Sequence, residues 1–314
     1  MSRSATVAAA RQLALDATAV ATCAALADRR VPAVLLKGAG LARRLGTEGR
    51  RAYTDVDLLV APATFDLAER SLADLGYRSV LPDGCPDPRL HWYERPWSVP
   101  GPVPLTVDLH RGFHGVPDRE AFWNTLFASV ERVRLAGGWI LVPDRPGTAL
   151  QVALHAASPG PSTRPYADLE RALDVFTPEV WRAAAGLAGQ CGALPFFAFG
   201  LRLAPAGAVL AAELGLPRRA TLAQWTRARQ ATAPAQVLAR LADLPTNRER
   251  LRHLAPHLFP RPAALWHTSA LARSGRTGLL LAYLVRTARY TASLPRAANE
   301  LRAAARFVRH ADRD

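Results

Sequence analysis

The sequence predicts an α+β chain, with a mixed sheet and its helices in residues 1–145 and an all-helical domain over 146–314. Three observations lead there. Short apolar runs with period-two alternation, such as 56–60 and 105–110, are confined to the first half. After Pro146 the apolar residues recur at three- and four-residue spacing, with no strand-like alternation and no fixed-period repeat. With 314 residues, 49% hydrophobic and 21% charged, the chain has the material of a globular protein with two domains.

The elements follow in order. Residues 5–29 are Ala-rich, carry Leu13, Leu15, Val20 and Leu26, and contain neither Gly nor Pro, so one long helix is expected there. A strand over 32–37 leads through Gly38 into a helix over about 39–46. An Arg- and Gly-rich loop from Thr47 to Thr54 precedes a second strand over 55–60. Pro62 opens a helix that runs to Leu75, with Gly76 as its stop. Tyr77–Leu81 reads as a strand and Pro82–Pro88 as a turn cluster. Leu90–Trp97 and Val103–His110 read as one hairpin, and 130–135 with 139–142 as another around Gly137-Gly138. Helices are expected over 148–157, 166–175, 178–189, 193–214, 219–230, 233–242, 245–256, 276–291 and 294–310.

The chemistry concentrates in residues 31–60. In a strand, residues two apart share a face, so Asp55 and Asp57 project together while Val56, Leu58 and Val60 pack inward. Adjacent carboxylates repel unless a cation sits between them, and a hard divalent ion such as Mg2+ suits oxygen ligands. Leu105-Thr-Val-Asp108-Leu-His110 alternates as well, placing Thr106, Asp108 and His110 on one face. Three carboxylates can hold two metals about 4 Å apart, the arrangement of in-line phosphoryl displacement. Gly38 allows close backbone approach of a phosphate.

Lys37-Gly38, Arg51 four residues before Asp55, the Asp55-x-Asp57-Leu-Leu-Val strand and Asp108-x-His110 resemble the nucleotidyltransferase superfamily with the polymerase-β-type fold. More narrowly, they resemble the bacterial uncharacterised nucleotidyltransferase family. The resemblance extends through Leu154-His155 into the C-terminal helices. It implies that Asp55 and Asp57 bind two Mg2+ ions, with Mn2+ as a substitute, and that Asp108 binds the catalytic one. It also implies nucleotide contacts from Lys37, Gly38, Ala39, Arg51 and His110, with Arg50 and His155 as further candidates. One departure stands out: the superfamily's Gly-Ser turn is Gly38-Ala39 here, so phosphate holding falls to backbone, Lys37 or arginine. Asp168 reads as a structural partner for His155 or for an arginine.

Lys37 is the only lysine beside 39 arginines, either a consequence of codon bias or a selected ammonium at the phosphate turn. The charge is uneven: residues 1–150 carry 18 basic and 16 acidic side chains, residues 151–314 carry 22 and 10. That basic half fits nucleic acid, anionic lipid, an acidic partner, or simply solvated arginine. Cys23, Cys85 and Cys191 have no C-x-x-C spacing, which argues against a disulfide framework or zinc site and suits a reducing cytoplasm. No signal peptide or transmembrane run is apparent.

The reading is a Mg2+-dependent nucleotidyltransferase that moves NMP, first of all AMP from ATP, to a hydroxyl of a peptide or small-molecule acceptor. Association of the resembling family with natural-product and polysaccharide biosynthesis motivates that acceptor class. Two other classes stay open: a toxin-like enzyme that modifies RNA or tRNA, favoured by the basic half, and a non-catalytic nucleotide-binding protein on the same fold. A sugar-nucleotide glycosyltransferase, which also uses Asp-x-Asp, is a more distant reading.

Overall fold

The computed structural model describes residues 3–81, 92–160 and 162–311. The turn cluster expected at Pro82–Pro88, the start of the strand expected from Leu90, and Cys85 lie outside them. The first unit of the chain comprises residues 1–80, 93–156 and 164–216; the second comprises 81–92, 157–163 and 217–314.

The first unit is built on a seven-stranded mixed sheet: β1 (Ala33–Leu35), β2 (Val56–Val60), β3 (Arg78–Ser79), β4 (Glu94–Val99), β5 (Leu105–His110), β6 (Glu131–Leu135) and β7 (Gly138–Val142), in the order β3-β4-β5-β2-β1-β7-β6. Three pairings in this sheet matter for the site. β1 runs antiparallel to β2, β2 runs parallel to β5, and β4 closes on β5 as the antiparallel hairpin expected from the sequence. The second expected hairpin is β6–β7, turning through Ala136 and Gly137, both at positive φ. β2 is buried along its whole length, which explains the unbroken Leu58-Leu59-Val60 run in place of strict alternation.

The long helix α1 (Arg3–Asp28) buries Leu15, Ala19 and Leu26 and lays Val20 on Gly138 of β7, where a Cβ would fall 2.2 Å from a Val20 methyl. α2 (Gly38–Arg44) is only seven residues long. The helix expected from Pro62 begins as a 3-10 turn, Pro62–Thr64, and continues as α3 (Phe65–Asp74). One helix, α4 (Arg119–Phe127), was not expected. Asp118 caps it by accepting from the Ala121 N–H at 2.9 Å, and Phe122, Trp123 and Leu126 are its buried residues.

The strands end with β7 at Val142, and the first compact unit continues to Leu216. α5 (Arg145–Ala157), α6 (Arg164–Val175), α7 (Pro178–Gln190), α8 (Leu194–Leu201) and α9 (Pro205–Glu213) follow the sheet. α5 is the central helix of this group, with residues 148–154 all buried. Gly200 of α8 sits so close to it that a Cβ would meet the Ala153 carbonyl oxygen at 2.0 Å. The single helix expected over 193–214 is two, because Pro205 starts a new helix after the extended Ala204.

The second unit is helical in its described residues: α10 (Leu222–Ala228), α11 (Ala233–Asp243), α12 (Asn247–Leu258), α13 (Pro262–Thr268), a 3-10 turn at Leu271–Arg273 and α14 (Gly275–Ala311). α13 was not expected. The two helices expected at 276–291 and 294–310 are one of 37 residues, with Pro295 inside it. Pro295 and Thr291 are exposed, so the carbonyl that loses its helical donor can be hydrated. Among the described residues no helix is long and apolar enough to cross a membrane.

Candidate active site

Alternation within β5 and its two partners builds the site. Asp57 of β2 lies in register with Asp108 of β5, and neighbouring strands are about 4.8 Å apart, so the two carboxylates stand side by side. Two residues along β5, His110 shares the face of Asp108, and Glu94 of β4 is its cross-strand partner. Asp55 enters just ahead of β2. The expected gathering of Asp55, Asp57, Asp108 and His110 is therefore present, with Glu94 as an addition.

Asp57 is the centre of this group and is 1% exposed. Its Oδ1 accepts from Lys37 Nζ at 2.6 Å and lies 3.1 Å from His110 Nε2, while its Oδ2 is buried with no hydrogen-bond partner among the described residues. Burial alone would raise the Asp57 pKa; Lys37 and His110 reverse that and hold it well below the usual carboxylate range. Burial likewise pulls Lys37 down, but Asp57, and more weakly Asp55 and Glu94, keep the ammonium above its ordinary value. His110 is also raised against the pull of burial, by its bond to Asp57 and by Glu94, whose Oε2 lies 3.6 Å from Nδ1. The other two carboxylates move the opposite way. Burial, then the charge of Asp57, raises Asp55. Asp108 is pushed up to about 7 by burial, opposed by His110 and reinforced by Asp57, Asp55 and Glu94. The cluster thus carries more negative charge than Lys37 and His110 balance.

The remaining sequence candidates are placed as follows. Gly38 adopts φ +61, the left-handed turn its residue type allows, with the Tyr53 ring at contact distance from where a Cβ would stand. Tyr53 donates to Asp16 of α1, anchoring the loop before β2. Ala39, with Gly40, Arg43 and Ile140, lines a cavity of about 200 Å3 on the β6–β7 side. Arg51 is engaged by Asp168 of α6 in a two-pronged pair, Nε–Oδ1 and Nη2–Oδ2 both at 2.8 Å, with both side chains under a tenth exposed. Asp168 thus pairs with an arginine, one of the two structural partners weighed for it. The third guanidinium nitrogen, Nη1, is buried without a hydrogen-bond partner among the described residues. Arg50 is exposed and donates to the Gly46 carbonyl at 2.9 Å. His155 of α5 stands edge-on to Phe113 at 6.3 Å, and burial, followed by the nearby Lys37 charge, pushes it down to about 3. It is a neutral imidazole.

Two participants escaped the sequence reading. Glu94 faces His110 through the β4–β5 register, which depends on where the 100–104 turn closes. Gln151 of α5 donates to the Leu36 carbonyl at 2.5 Å and so steadies the strand end that carries Lys37. No short motif announces either residue.

Divalent cations suit this donor set in chemistry: three carboxylates on one face, a buried carboxylate oxygen left unpaired, and excess negative charge. Among the described residues, no three His, Cys, Asp or Glu side chains stand close enough together to hold a metal ion as they are.

Comparison with known proteins adds the following. A family model described as "Uncharacterised nucleotidyltransferase" matches residues 1–206. No curated protein matches the chain. Among solved structures, the solution structure of the antibiotic-resistance factor ANT(2'')-Ia aligns at TM-score 0.38 and 18% identity, covering 56% of this chain and 93% of that one. An antigenic nucleotidyltransferase-like protein from Paracoccidioides brasiliensis aligns at TM-score 0.39 and 14% identity, covering 57% and 89%.

Proposed function

Since this chain belongs to the uncharacterised nucleotidyltransferase family, a family of NMP-transferring enzymes, we propose that it moves AMP from ATP to a hydroxyl of a peptide or small-molecule acceptor. The observation that carries the site assignment is the register of Asp57 with Asp108, with Asp55 two residues upstream and the Asp57 Oδ2 unpaired.

Asp55 and Asp57 would hold two Mg2+ ions, or Mn2+ in their place, and Asp108 would join the catalytic one. Bound there, the ions supply charge neutralisation for the triphosphate and its departing pyrophosphate. The chain's own groups do the rest. Asp108, beside Asp57 on the same face of the sheet, would accept the proton of the acceptor hydroxyl. The freed oxygen bonds to the α-phosphorus as the bond to pyrophosphate breaks. His110, braced between Asp57 and Glu94, fixes the orientation of the Asp57 carboxylate. Lys37 keeps Asp57 ionised and gives the phosphate turn its positive charge. Arg51 points its unpaired Nη1 from a guanidinium fixed by Asp168, which suits an anionic oxygen. The first 145 residues would bind nucleotide, and the helices after them the acceptor.

The test is transfer of label from α-labelled NTPs in the presence of Mg2+ and pools of peptides, small hydroxylated metabolites and RNA. The reading expects label in the peptide or metabolite pool and none with Asp108→Asn. Label in the RNA pool, or undiminished transfer by Asp108→Asn, would overturn it.

A further inference from the structure

The second unit carries an exposed apolar surface of its own. Residues 250–299 contain eight arginines and no acidic residue. Within this stretch α14 buries Ala282 against Leu265 and Ala272, with Leu279 and Tyr283 beside them, and Gly278 against the Leu271 carbonyl. At 100° per residue, the outward face holds Leu280, Leu281 and Leu284, with the less exposed Val285 at its margin. Leu280 is 65% exposed and Leu284 66%. Arg276 borders this stripe on one side and Arg289 on the other. Beside Arg276, a cavity of about 420 Å3 has walls that include Trp266, Leu279, Arg273 and Arg276. Phe259, 71% exposed, lies beside the helix, because Tyr283 donates to the Pro260 carbonyl and Arg286 to the His257 carbonyl.

We infer that this face is a docking surface for an anionic lipid bilayer. An aliphatic stripe flanked by arginines, with an exposed tryptophan at its end, is the pattern of a helix lying in the plane of a membrane interface. The leucines enter the acyl boundary, while the arginine stems cover apolar surface and keep their guanidinium groups at the phosphates. The charge argues for this occupant over the others. A second copy would bring Arg276 and Arg289 of both chains to the same face, where like charges repel. Single-stranded RNA would use the arginines and leave the leucines in water, since it binds through phosphate contacts and stacking on aromatic rings.

Cosedimentation of the full chain with vesicles of phosphatidylcholine, with and without phosphatidylglycerol, tests the inference. Binding is expected only to the anionic vesicles and is expected to weaken with salt. Each arginine near the surface is worth about fivefold, so Arg276→Gln with Arg289→Gln should weaken binding by roughly 25-fold. Leu280→Ser with Leu284→Ser should cost at least about tenfold, since an inserted leucine loses its burial. All four side chains are exposed, so circular dichroism of the variants should match wild type. The inference fails if sedimentation is independent of phosphatidylglycerol, or if either double variant binds as wild type does. It also fails if the chain ignores vesicles while binding polyuridylate or forming a dimer that Leu284→Ser disperses.

Discussion

Replacing Lys37 with methionine keeps the length of the side chain and removes the ammonium 2.6 Å from Asp57 Oδ1. Two unit charges at that distance attract by about 6 kcal/mol at an effective dielectric constant of about 20. The net effect is smaller, because Lys37 regains hydration on unfolding and His110 still bonds the same oxygen at 3.1 Å. Stranding one member of a buried pair costs about 3–5 kcal/mol, and the retained His110 bond places Lys37→Met near the lower end, about 3 kcal/mol. In the Asp57→Asn background no stranded carboxylate remains, so the same substitution should cost less than about 1 kcal/mol. Urea unfolding of wild type, both single variants and the double variant, all in chelator, measures this cycle. A coupling of about 2 kcal/mol or more is expected. Additive effects within about 0.5 kcal/mol would refute the view that the one lysine exists here to neutralise Asp57.

Other outcomes follow from the same geometry. Asp55→Asn removes repulsion without stranding a cation, so it should leave urea stability unchanged or higher while lowering label transfer at least about a hundredfold. Asp57→Asn should lose both, because Lys37 is left without its carboxylate. Asp168→Asn should destabilise the chain by about 3 kcal/mol by leaving the Arg51 guanidinium buried without its carboxylate; unchanged thermal unfolding would show that Arg51 does not depend on that pair. His155 takes a proton at ordinary pH 6.5 when unfolded but only near 3 when folded, so its contribution is intact above pH 6.5 and is lost as pH falls through that window. Wild type should therefore lose up to about 3 kcal/mol more than His155→Gln between pH 7 and about pH 4.5, and parallel losses would contradict this.

Much of the site was legible because it lies on strands. The two-residue spacing of Asp55 and Asp57, and of Asp108 and His110, fixes which side chains share a face whatever the rest of the fold does. That β5 neighbours β2 in parallel is a matter of topology, and only the resemblance to a family anticipated that their carboxylates meet. The partners of the basic residues were beyond local reading. Lys37 and Arg51 were expected on phosphate, yet Lys37 bonds Asp57 twenty residues away and Arg51 bonds Asp168 across 117 residues. A sequence shows which cation is available and not which buried carboxylate needs it.

The helices show a parallel limit. α4 has a capping aspartate and an acidic first turn, but only nine residues, too few to establish a period. α13 begins at Pro262 and is shorter still. Proline misled in both directions: Pro205 separates α8 from α9, while Pro295 lies within α14 on an exposed face where its missing donor costs less. Exposure of a particular turn decides between these outcomes, and exposure is set by tertiary packing.

The central claim is that Asp55, Asp57 and Asp108 hold divalent cations together. Titration of Mn2+ into the chain with a non-hydrolysable ATP analogue, followed by electron paramagnetic resonance of the free ion, tests it most directly. Wild type should take up the ion, and Asp55→Asn, Asp57→Asn and Asp108→Asn should each weaken uptake at least about tenfold while Arg50→Gln does not. Uptake by all three carboxylate variants equal to that of wild type would contradict the account.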